Sequence, residues 1–164
     1  MNLIFTKLKE ETKTNNDTGS YSIGNMSFCT LCNSALEVFA SGDYAPLYEV
    51  LTPDAELFFP QGIDEQRRNI QGIQNIFDFW QTWRISNNTI AMTITEINSV
   101  PVIVSGSVVG PAKPGTWVFS WFNVNVNFVH VQRAARVNAT FSFNEESMIQ
   151  KIFTYYDPNQ FNNL

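Results

Sequence analysis

The chain is 164 residues long, which suits one domain with a sizeable core. Its 10 Lys and Arg against 15 Asp and Glu leave a net charge of −5. The basic residues are scattered rather than striped, which excludes nucleic acid as the expected partner, and no apolar run approaches the roughly 20 residues that span a bilayer.

Residues 1–26 are rich in Thr, Asn, Ser, Asp, Lys and Gly, and read as a flexible extension before one domain over 27–164. The start "MNLIFTKLKEETKTNND" lacks the basic opening and the apolar stretch of about 7–15 residues of a secretory signal, so a cytoplasmic location is expected. A helix is predicted over Ser27 to Ala40, where Phe28, Leu31, Cys32, Ala35 and Phe39 make one apolar face. Gly42 suits the left-handed position past its end. Asp43 as N-cap and Pro46 in the first turn predict a second helix, with Tyr44, Leu47, Tyr48 and Leu51 on its buried face. Pro53 should end it. "AELFFP" reads as a strand with Leu57 and Phe59 on one side, and "QGIDEQRRNIQG" as a polar loop. Ile73, Ile76, Phe77, Trp80 and Trp83 then fit a third helix.

After Arg84 the period changes to two. "TIAMTITEI" alternates, with Ile90, Met92, Ile94 and Glu96 on one side, and "VPVIVSGSVVG" continues extended, with a bend expected at Pro101 or Gly106. In "TWVFSWFNVNVNFVHVQ", Phe122, Val124, Val126 and Phe128 face one way and Asn123, Asn125 and Asn127 the other. "ARVNATFSF" and "MIQKIFTYYD" are two further strands joined by the turn "NEES". Grouped helices followed by a meander argue an α+β fold, with three N-terminal helices covering one face of a curved antiparallel sheet.

This order, with "FASGDY", "LTPDAELFFPQG", "GIQNIFDFW" and "FSFNEESMIQKIFTYYD", resembles the nuclear-transport-factor-2-like superfamily over roughly Phe28 to Asp157. Its small-molecule branch includes SnoaL-like polyketide cyclases, ketosteroid isomerases and limonene epoxide hydrolases. The resemblance implies a cone-shaped barrel with an apolar pocket, often dimeric. In ketosteroid isomerases the general base stands just before a Pro-x-Gly; here "FPQG" puts Phe59 in that seat. The pocket tyrosine falls at Ala35 and the protonated acid at Ala139. The acid that cyclases and epoxide hydrolases keep in the last strand falls at Thr154, with Asp157 matching only a second aspartate. The cyclases' histidine falls near Thr140. Enolisation by the isomerase route is therefore not expected.

The aromatic content, 14 Phe, 5 Tyr and 4 Trp, exceeds what a small core needs and suits a lined cavity or an interface. Phe39, Leu57, Phe59, Trp80, Trp83, Phe141, Thr154 and Tyr156 are the expected lining, with the last two orienting polar groups. His130, the single histidine, has by strand parity the facing of Phe122 to Phe128 and is the available general base; the alternative is a solvated histidine at a strand end. Asp157 is either an acid at the rim or a turn carboxylate. "CTLC" is a redox dithiol, half a zinc site, or a core cysteine with a neighbour. The asparagine ladder is either a dimer contact or solvated sheet. The expected partner is a small, largely apolar, oxygenated molecule, with no metal or cofactor. If the pocket is catalytic, the chemistry is a cofactor-independent isomerisation, cyclisation or dehydration. The competing expectation is a non-catalytic homodimeric interaction module.

Overall fold

A computed structural model describes residues 19–61, 67–106 and 113–160. Asn25 starts the first helix by accepting the Ser27 N–H on its side chain at 2.9 Å. That helix, α1, spans Ser27–Ser41. It ends at Gly42, whose φ of 83° is a left-handed conformation, and the Gly42 N–H returns to the Val38 carbonyl. Cys29, Cys32, Ala35 and Leu36 lie on its buried side. The next turn is only a 3₁₀ segment, Ala45–Glu49. The expected second α-helix does not form, because the chain turns extended at Leu51, ahead of Pro53. The strand β2, Leu51–Phe58, carries Pro53 inside a register shift between Leu51 and Glu56, where no ladder donor is required of it. After the short strand β3, Asn69–Gln71, the expected amphipathic helix forms as α2, Ile73–Ser86. Among the described residues there are thus two α-helices rather than three.

The remaining strands are β4 (Thr89–Ser105), β5 (Gly115–Phe128), β6 (Gln132–Phe143) and β7 (Ile149–Tyr155). β4 is continuous through Pro101, which pairs opposite Val118. The expected bend falls at Gly106, φ 69°, just past its end. Within β4 the register shifts between Thr89 and Ala91 and between Thr95 and Asn98, the latter around Glu96 at φ 54°, a bulge tied down by Asn123 Nδ2 donating to Glu96 Oε2 at 2.7 Å. One further strand, β1 (Ser20–Ile23), pairs with β4 and belongs to the stretch expected as a flexible extension. Residues 1–18 of that stretch lie outside the described residues.

The seven strands form one sheet in the order β1-β4-β5-β6-β7-β2-β3. It is mixed rather than purely antiparallel, because β2 runs parallel to β7. One face carries Val118, Phe122, Val124 and Val126 of β5, with Ala135, Val137, Ala139 and Phe141 of β6, and packs with both helices into the main core. A part-buried polar link pins α1 to this face: Ser99 Oγ donates to Asn33 Oδ1 and shares a second 2.8 Å hydrogen bond with Ser120 Oγ. The opposite face holds a smaller apolar cluster around Phe58, Val104, Trp117 and Phe153. No described helix is long and apolar enough to cross a membrane.

Candidate functional site

The helix-covered side of the sheet is lined by rings meeting edge to face. Phe59 lies 5.1 Å from Phe79, Phe79 5.4 Å from Trp80, Trp80 5.8 Å from Trp83, and Trp83 6.0 Å from Phe128, centroid to centroid. A second group stacks behind it, with Tyr44 5.3 Å from Phe77 and 6.0 Å from Phe39. Periodicity explains the convergence. Phe79, Trp80 and Trp83 share one side of α2, and Leu57 and Phe59 alternate with the oppositely facing Phe58. Of the residues singled out from sequence, Phe39, Leu57, Phe59, Trp80, Trp83, Phe141 and Tyr156 lie in this one cluster. Thr154 Oγ1 donates to the Phe58 carbonyl at 2.8 Å, so its hydroxyl serves the junction of β7 with β2.

His130 is placed differently from its parity. β5 ends at Phe128, the Phe128 N–H bonds the Val131 carbonyl at 2.9 Å, and His130 is exposed in the turn so formed. Alternation stops with the ladder, so parity no longer sets its facing. Asp157 is exposed, and its Oδ1 accepts the Asn159 N–H at 2.9 Å, as a turn carboxylate does. Ala35, Phe59 and Ala139 are all buried in the main cluster, whereas Thr140 flanks Phe119 and Phe153 on the opposite sheet face. Among the described residues, no Asp, Glu or His is buried.

The polar groups at this interior are hydroxyls and guanidiniums. The Tyr44 hydroxyl is buried without a hydrogen-bond partner. Burial pushes the Tyr156 phenol up from its ordinary value, and the nearby Arg68 charge opposes that shift. The Arg68 guanidinium stands 5.2 Å from the Phe59 ring centroid and 5.9 Å from that of Phe79. Arg67 stacks 4.2 Å over Tyr155. Sequence reasoning left both arginines in a polar loop. Their stacking depends on tertiary placement, and the only local signal was two cations a few positions after "FFP".

Cys29 and Cys32 are buried, free thiols on α1, and burial raises both above the ordinary thiol range. No group of three or more potential metal ligands occurs among the described residues. Two openings lie outside the ring chain, and the larger reaches Ala35 and Leu47 of the main cluster. One, of about 500 Å³, runs between α1 and the 3₁₀ turn past Leu31, Val38, Pro46 and Val50. The other, of about 70 Å³, lies beside Trp117 and Phe153.

No protein-family model matches the chain. No curated protein sequence matches it either. Solved structures do. A nuclear-transport-factor-2-like protein from Anabaena variabilis superposes with a TM-score of 0.57 at 16% identity, covering 82% of this chain and 94% of the other. A Bacillus subtilis protein crystallised as a candidate isomerase gives 0.59 at 12% identity, covering 80% and 87%. An LEH-like epoxide hydrolase from M. tuberculosis gives 0.56 at 11% identity, covering 82% and 86%. Element order, the helix-covered mixed sheet and these superpositions agree: the chain has the nuclear-transport-factor-2-like fold.

Proposed function

We propose that this protein binds a small, largely apolar, oxygenated molecule on the aromatic side of its sheet and does not itself move a proton on it. The observation that carries the reading is the make-up of the interior. Phe59, Ala35 and Ala139, in the seats where acids and a tyrosine stand in the ketosteroid isomerases it resembles, are buried and non-ionisable. A phenyl ring and two methyl groups offer contact area and no proton transfer. The ligand takes its place by opening the ring chain at its half-buried members Phe79, Trp80 and Trp83. The unpartnered Tyr44 hydroxyl supports an oxygenated ligand, because a buried hydroxyl gains a hydrogen bond when an oxygen docks against it. The isomerase and epoxide hydrolase among the structural neighbours support a pocket; their chemistry belongs to them. Acid/base turnover by His130 is not favoured, since its turn is exposed. The test is native mass spectrometry of the gently purified protein, followed by extraction. A stoichiometric apolar adduct supports the reading, and displacement screening without any apolar binder contradicts it.

A second reading, a homodimeric module, is favoured by the opposite sheet face. Val100, Trp121 and Tyr155 are each more than a third exposed there, beside Asn123 and Asn125. Light scattering of the protein and of Trp121→Glu tests it: a dimer that the charge dissociates supports it, and a monomer at all concentrations sinks it.

A further inference from the structure

We infer that the ligand of the aromatic interior carries a carboxylate, held at the rim by Arg68. The inference rests on the binding reading above and narrows its ligand class. Arg68 lies in the chain between β2 and β3, with its backbone clamped on both sides: its N–H bonds the Gln61 carbonyl at 3.2 Å and its carbonyl accepts the Phe59 N–H at 2.9 Å. The guanidinium therefore stands over Phe59 and Phe79 on a fixed base rather than on a loose loop. At these distances the rings take none of its N–H groups, which stay available to an acceptor. Among the described residues, no carboxylate pairs with it. Arg67, next to it, spends one N–H on the Thr154 carbonyl at 3.5 Å, and its Nε is buried without a hydrogen-bond partner.

The polarity of this seat is the reverse of that in the isomerases the sequence resembles. They hold an anionic base where this chain has Phe59, and this chain sets a cation beside that ring. Arg68 is exposed, and a cation at the edge of an apolar interior favours a ligand with an apolar body and a compact anionic head. A neutral ligand of the same shape leaves that attraction unused. Among the described residues no other cation stands over Phe59 or Phe79; Arg84, farther along α2, is already committed to the Phe39 and Ala40 carbonyls.

The test titrates 2-naphthoate and 1-pyrenebutyrate, each against its methyl ester, by tryptophan quenching and calorimetry at pH 7. Each acid is expected to bind about tenfold or more tighter than its ester, the size of one charge-assisted hydrogen bond. That ratio is expected to fall toward one in Arg68→Gln, to be partly kept in Arg68→Lys, and to be unchanged in the exposed control Arg136→Gln. Equal affinity of acid and ester in the wild-type chain overturns the inference and leaves the binding reading standing. So does an equal loss for both in Arg68→Gln, which would make Arg68 a packing lid. If neither acid nor ester binds, both readings fall.

Discussion

Arg84 joins the two helices that cover the sheet, and removing it should loosen both. It lies in the last turn of α2, and its Nη2 donates to the carbonyls of Phe39 and Ala40 at 2.9 and 2.6 Å. Those carbonyls belong to the last turn of α1, where no further helical turn supplies N–H partners. The contact therefore combines two charge-assisted hydrogen bonds, at about 1.5–3 kcal/mol each, with a cation at a helix C-terminus, worth about 0.3–1 kcal/mol. These contributions overlap, and water reaches part of the freed carbonyls, so Arg84→Met should cost about 3 kcal/mol rather than their full sum. Methionine keeps much of the aliphatic stem, which confines the loss to the polar contact. Lysine keeps the charge and loses the fork, so it should recover about half. Urea unfolding followed by tryptophan fluorescence reads the effect. With a slope of about 2 kcal/mol per molar, the midpoint of Arg84→Met should fall by about 1.5 M. A loss below about 0.5 kcal/mol would refute the reasoning.

Cys29 and Cys32 should resist aromatic disulfide reagents at pH 8 in the native protein and react fully once it is unfolded, since burial raises both thiols; rapid native labelling would contradict this. Stability should decline as pH rises above about 9. Unfolded thiols begin to ionise near 9.0 and an unfolded tyrosine near 10.0, while the folded Cys29, Cys32 and Tyr156 hold their protons longer, so the folded state binds more protons there. A urea midpoint constant from pH 7 to pH 11 would contradict that sign. His130→Ala should shift stability by no more than about 0.5 kcal/mol and leave ligand affinity unchanged, as for other exposed turn positions; loss of binding would restore His130 to the site.

Local signals located the elements whose own periodicity is strong. α1 follows Phe28 to Phe39 with Gly42 at its end, α2 follows Ile73 to Trp83, and β5 follows the alternation of Phe122 to Phe128 with asparagines. Two features escaped because they depend on distant chain, and a third because its strand ends in a local turn. Residues 44–51 have helical spacing, yet Leu51 and Glu56 to Phe58 pair with β7 almost 100 positions away, and that pairing takes Leu51 out of the helix. Ser20–Ile23 is too short and polar to announce a strand, and it exists by pairing with β4. The parity of His130 failed because a ladder's end is set by the turn that closes it. That these apolar side chains cluster was legible because one-sided apolar spacing and ring size both show in sequence. Arg68 was not, because a cation over a ring is a product of packing.

The claim that a ligand occupies the aromatic side of the sheet is tested most directly by intermolecular NOEs between a bound apolar acid and the protein's methyl groups. Contacts are predicted with Met92 and Ile94, which pair with Val126 and Val124 of β5 on the helix-covered side of the sheet. None are predicted with Leu31, Val38 and Val50 together, which line the groove between α1 and the 3₁₀ turn. NOEs confined to that second set would place the ligand in the groove and contradict the account.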